Sequence, residues 1–100
     1  MDFNQAVGRA VQALRLSKGL TQKDLLGAVS SQYLSDIERG KRAPSMAVLA
    51  QICERLEIHE AVPVILAMHL MKPSEPLHES LQEIERQLRT AGFIDLGSAF

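Results

Sequence analysis

The chain has 100 residues, of which 46% are hydrophobic and 23% charged, and eleven basic side chains against twelve acidic ones leave a formal net charge of −1. That length suits one compact domain with an appended helix and leaves little room for a large enclosed active site. The composition is that of an ordinary globular protein, not of a disordered or membrane-spanning chain, and no apolar run of about 18 residues is present. The opening Met1-Asp2-Phe3-Asn4-Gln5 carries an acid and amides where a secretory signal needs a basic stretch and an apolar run, which predicts a cytoplasmic protein. Cys53 has no partner for an intrachain disulfide, and among Leu49, Ile52 and Leu56 it reads as a small buried hydrophobe.

Charge is unevenly placed. Residues 1–45 hold seven basic and four acidic side chains, a balance of +3, and the other 55 hold four and eight, a balance of −4. Such asymmetry fits a module that meets a polyanion with one end.

Helical periodicity predicts an all-α chain. Phe3, Ala6, Val7, Ala10, Val11 and Leu14 form an apolar stripe that should end near Gly19. Thr21-Gln22-Lys23-Asp24 restarts a short helix through about Leu26 to Ala28, with Thr21 as cap and Asp24 at the capping-box position. Ser30 caps a third helix through Tyr33, Leu34, Ile37 and Arg39 to a stop at Gly40. After the basic turn Lys41-Arg42-Ala43-Pro44, Ser45 opens a fourth helix carrying Met46, Leu49, Ile52, Cys53 and Leu56. A fifth spans roughly Ala61 to Met71, with Pro63 harmless in its first turn. Two prolines make residues 72–76 a linker, and a last helix from about Leu77 to Ala91 ends at Gly92. Its stripe of Leu77, Leu81, Ile84 and Leu88 is narrow and must be buried against something. The division expected is a domain of residues 1–72 and an oligomerisation helix with tail of residues 73–100.

Two short helices joined by a tight turn, the second flanked by basic residues, make a physically sensible groove reader, since an α-helix fits the major groove of B-form DNA. Ser30, Ser31, Gln32, Ser35 and Asp36 are small or polar groups able to meet base edges and sugar–phosphate oxygens, while Leu34 and Ile37 on the other side anchor the helix. Tyr33 can pack its ring and still offer its hydroxyl to a phosphate.

Gly19-Leu20-Thr21-Gln22, then Tyr33-Leu34-Ser35-Asp36-Ile37-Glu38-Arg39-Gly40, then Pro44-Ser45 with Leu49, resembles the Cro and phage-repressor type of helix-turn-helix, the xenobiotic-response-element (XRE) family. The resemblance runs from about Val7 to Ile58 and implies a five-helix, lambda-repressor-like DNA-binding domain, here with an additional C-terminal helix. It implies that Gln22 clamps a phosphate beside Lys23, that Ser31, Gln32 and Asp36 face bases, that Lys41 and Arg42 contact the backbone with Arg39, and that Arg15 and Glu38 form a structural ion pair. Between Gln22 and Ser30 the chain is about two residues shorter than the family pattern. Asp36 either accepts from cytosine or orients a basic neighbour.

The implied partner is double-stranded DNA at a palindromic operator, bound by a homodimer or a dimer of dimers through Leu77, Leu81, Ile84 and Leu88, with Val62, Ile65, Leu66 and Leu70 able to join. A regulatory protein partner is a further possibility. The function expected is transcriptional regulation, with repression as the leading form; the alternatives are an antitoxin that autoregulates its promoter and an interaction adaptor that binds no DNA. No nucleophile–base pair, phosphate loop or cofactor motif points to an enzyme. His59, His69 and His78, ten and nine residues apart without cysteine pairs, do not read as metal ligands. Met46, Met68 and Met71 read as core filler, and Glu79, Glu83, Glu85, Arg86 and Arg89 as a solvated, ion-paired face.

Overall fold

The computed structural model describes residues 1–92, so the end of the predicted tail lies outside the described residues. Within them the chain is all-helical: α1 (Phe3–Ser17), a 3-10 turn (Gln22–Leu25), α2 (Ser31–Glu38), α3 (Met46–Leu56), α4 (Val62–Met71) and α5 (Leu77–Thr90). Each start has a local cause. Asp2 and Gln5 close a capping box over the first turn of α1, their side chains bonding each other's backbone N–H at 2.8 and 3.0 Å. Ser30 and Ser45 accept from Tyr33 N–H and Val48 N–H, both at 3.1 Å. Ala61 offers α4 no side-chain cap; instead His59 Nδ1 accepts from the Ala61 N–H at 3.0 Å, and Pro63 sits in the first turn. Glycines with positive φ follow three helices, at Gly19, Gly40 and Gly92, but α3 ends on Glu57, a non-glycine residue at φ 57°.

The core is built by Ala6, Val7, Ala10 and Val11 of α1, Leu25 and Val29 of the turn region, Leu34 and Ile37 of α2, Leu49, Ile52, Cys53 and Leu56 of α3, and Ala67 of α4. α1 lies across α2 and α4 and is the central element. Gly8 makes this possible, because a Cβ there would run into the carbonyl oxygen of Ile37 and lie 3.1 Å from that of Glu38.

Four apolar expectations are corrected. Met46, Met68 and Met71 are not core filler but lie 59%, 52% and 42% exposed, and Phe3, at the head of the predicted stripe, is 45% exposed. For Met68 and Met71 the cause is that α4 is apolar on every side while the fold covers only part of it, burying Pro63 and Ala67; Met46 and Phe3 stand at the first positions of α3 and α1. Among the described residues none of α5 is buried, although its apolar stripe is strongly segregated from its charges. The second predicted helix is also corrected, to one 3-10 turn, Gln22–Leu25, capped at Leu26.

Candidate nucleic-acid interface

α2 is an amphipathic rod whose inner side, Leu34 and Ile37, is fully buried. Gln32, Ser35, Asp36 and Arg39 are related by steps of three and four residues, 32 to 35 and 36 and these to 39, and so form one outward stripe opposite that anchor. Gln32 and Arg39 are exposed, Ser35 and Asp36 half-buried; Ser30 is exposed and Ser31 half-buried at the helix start. Gln32 Nε2 donates to Asp36 Oδ1 at 3.0 Å. The carboxylate thus orients an amide and not the basic neighbour the sequence reading allowed, and it leaves Gln32 Oε1 and the second Nε2 proton facing outward.

The segment after α2 is folded back onto it. Lys41 N–H and Arg42 N–H both donate to the Asp36 carbonyl, at 2.9 and 3.4 Å, which sets these two basic side chains beside the outward stripe. Arg42 also rests over the Tyr33 ring, with Cζ 4.6 Å from its centroid, so the aromatic face limits where the guanidinium can go. Lys23, exposed on the 3-10 turn, supplies another cation.

The frame beneath is an ion pair closed to solvent. Arg15 Nε and Nη2 donate to the two carboxylate oxygens of Glu38 at 2.8 and 2.9 Å, and Nη1 donates to the Leu20 carbonyl at 2.8 Å. The side chains are 8% and 2% exposed. Hydrogen bonding to Glu38 raises the Arg15 pKa above its ordinary value. Removing either partner of such a pair strands a buried charge, at a cost of about 3–5 kcal/mol, which makes it a fixture and not a reader of bases. Gln22 Nε2 donates to Glu38 Oε1 at 3.1 Å, tying the 3-10 turn to α2 and leaving its second Nε2 proton as a donor to the outside.

One residue of this frame was missed in the sequence. Arg55, on α3, sends Nη2 to the carbonyls of Asp24 and Leu26 at 2.9 and 3.0 Å. These are groups that a longer helix would satisfy along its own axis, and here the turn breaks at Gly27, whose φ of 101° suits glycine. The Thr21 amide, then its hydroxyl, hold the Asp24 carboxyl below its ordinary pKa, with Arg55 adding to the effect. An arginine separated from its acceptors by about thirty residues leaves no periodic signal.

Among the described residues no group of three His, Cys, Asp or Glu side chains could hold a metal ion, and no helix is long and apolar enough to cross a membrane.

The sequence pattern that defines the Helix-turn-helix family matches residues 11–62. The chain belongs to that family. It is an XRE-type, DNA-binding transcriptional regulator. The helix-turn-helix chain is 36% identical over 75 residues to the transcriptional regulator ClgR of Mycobacterium tuberculosis, covering 73% of this chain and 67% of that protein. It is 38% identical over 60 residues to the uncharacterized HTH-type transcriptional regulator y4dJ of Sinorhizobium fredii, 58% of this chain and 78% of that one. A crystal structure of the clp gene regulator ClgR from Corynebacterium glutamicum matches with a TM-score of 0.68 at 31% identity, over 91% of this chain and 95% of that chain. A second structure of that regulator matches with a TM-score of 0.66 at 36% identity, over 71% and 95%. These relatives are regulators and not enzymes by name.

Proposed function

We propose that this helix-turn-helix protein binds a palindromic operator as a homodimer and represses by occupying the promoter, in the cytoplasm where chromosomal DNA lies. The observation that carries the reading is the outward stripe of α2, polar along its length and bordered by Lys41 and Arg42 over a locked Arg15–Glu38 frame. The N-terminal part of α2 enters the major groove, where Gln32, oriented by Asp36, and Ser31 read base edges. Ser30, Ser35 and the Tyr33 hydroxyl meet the sugar–phosphate wall. Gln22, Lys23, Arg39, Lys41 and Arg42 hold phosphates and provide the salt-dependent part of the affinity.

A single such helix spans only a few base pairs, and each bidentate contact discriminates by about 1–3 kcal/mol, so two copies are needed for useful specificity. The support for a dimer is the uncovered apolar face. Leu77, Leu81, Ile84 and Leu88 are 37–45% exposed, and the first three border, with Phe3, Met68 and Met71, a groove of about 320 Å³ between α4 and α5. Contiguous exposed apolar surface of this kind marks an interaction site. On this reading residues 1–72 are the DNA-binding domain and the segment from residue 73 is the arm that dimerises. The antitoxin alternative is not favoured, because the relatives are named as transcriptional regulators.

In vitro selection from random duplexes tests the function. The expected product is a two-fold symmetric consensus; Gln32→Ala relaxes it, whereas Arg42→Ala weakens binding to all sequences and lowers the salt slope by about one. Since the C. glutamicum relative is a clp gene regulator, clp promoter regions are the first natural duplexes to assay. Equal losses on selected and random DNA for both variants would count against the assignment of roles.

A further inference from the structure

At the C-terminal end of α2 a polar concavity of about 340 Å³ is walled by Met1, Gln5, Arg9, Gln12, Glu38 and Arg39. Gln5, Arg9 and Gln12 stand four and three residues apart and therefore share one face of α1. Two glycines bring that face against α2. Gly8 lets the helices approach at Ile37 and Glu38, and at Gly40 a Cβ would lie 2.9 Å from Gln5 Cγ and 3.1 Å from Gln5 Cα. Glu38 is the acid of this wall, and its carboxylate is already engaged by Arg15 and Gln22. Neither Arg9 nor Arg39 forms an ion pair among the described residues. The concavity thus gathers two uncompensated guanidinium groups and two glutamine side chains, a donor set suited to a phosphoryl oxygen.

Arg39 is shared between this concavity and the outward stripe of α2, so whatever anion enters is part of the surface the stripe meets. We infer that Arg9, with Gln5 and Gln12, joins Arg39 in a pocket for a DNA backbone phosphate flanking the bases read by α2. The inference rests on the DNA-binding reading above and extends it to α1, which carries no other contact in that reading. The pocket adds one backbone contact per copy and widens the footprint on the C-terminal side of the recognition helix, without adding base specificity.

The test is equilibrium binding of the full chain to the selected duplex and to a scrambled one across a salt series. Arg9→Gln is expected to lower affinity for both duplexes by the same factor and to reduce the salt slope by about one per bound copy, with Arg9→Lys restoring the slope. Neutral methylphosphonates placed one at a time along the duplex should reveal one flanking position that weakens the wild type and leaves Arg9→Gln indifferent. Arg9 is exposed and unpaired, so its substitution leaves the fold intact. Wild-type affinity and slope in both Arg9→Gln and Gln12→Ala, while Gln32→Ala and Arg42→Ala keep their effects, overturns the pocket and leaves the DNA reading standing. Failure of the wild-type chain to bind any selected duplex overturns both.

Discussion

Gly8 shows how a single residue positions the site. In the interior of a helix glycine is about 1 kcal/mol less favourable than alanine, so propensity alone predicts that Gly8→Ala stabilises α1. The crossing predicts the opposite sign, because the added methyl would collide with backbone and not with the movable end of a side chain. Overpacking of this kind costs about 1–3 kcal/mol, and backbone gives less than side chains do, so the net change should be a loss of about 2 kcal/mol. Urea denaturation measures it, and a stabilised Gly8→Ala protein would show that the helices are not in contact at this point. DNA affinity should fall with it, since α2 would be pushed outward at its last turn. The glycine was visible in the sequence, but periodicity registers only which residues are apolar and is silent on where two backbones meet. Buried Arg15 and Glu38 are a contrasting case: the family resemblance, not their spacing, singled them out, and they meet across 23 residues.

Element starts were legible because they are local chemistry. Thr21, Ser30 and Ser45 bond to N–H groups within three residues of themselves, and each can be read from a short window. The turn between Thr21 and Ser30 was not, because its geometry depends on Arg55 from α3. Arg55→Met keeps much of the side chain's bulk and removes both hydrogen bonds; with the arginine exposed, the expected loss is about 1 kcal/mol. The informative readout is amide hydrogen exchange, in which residues 26–30 should lose protection while α1 keeps it. Unchanged exchange there would mean that Gly27 and the core anchors Leu25 and Val29 hold the turn unaided. α5 allows a pH test of the same local kind. Two bonds from Arg86, at 2.6 and 2.9 Å, and one from Gln87 hold the Glu83 carboxyl at about 2 instead of 4.5. A depressed folded-state value stabilises fully above 4.5, and that contribution is lost as pH falls from there to about 2. An NMR titration of the Glu83 side chain should find its midpoint near the lower value; one near the upper value would mean that the pair does not persist in solution. The effect on overall stability should be small, since exposed pairs contribute little.

At the scale of the whole molecule, the sequence placed basic residues toward the first half and acidic ones toward the second, and in the fold the cations gather around α2 while α5 stands apart with its charges in solvent. Burial was the least legible property, because Met46, Met68, Met71 and Phe3 have the right chemistry for a core and lack a second surface within the chain. That missing surface supports the dimer. A wild-type dimer should appear by size-exclusion with light scattering, with a melting temperature that rises with protein concentration, as mass action requires when folding and association are linked. Leu81→Glu with Leu88→Glu places two carboxylates on the stripe of α5. Neither position is buried in the single chain, so the helix-turn-helix core should fold as before while the mass falls to that of one chain. The two recognition helices would then no longer be held in successive major grooves about 34 Å apart, and each half-site would bind alone. Linkage of two sites can contribute about 100-fold or more to affinity, and that factor is what the variant should lose on a palindrome while binding to an isolated half-site stays unchanged. A dimer that persists in this variant would move the interface off α5, to the exposed side of α4 and Phe3. A wild-type chain that remains monomeric at every concentration would remove the dimer from the proposal and leave a single recognition helix to account for specificity.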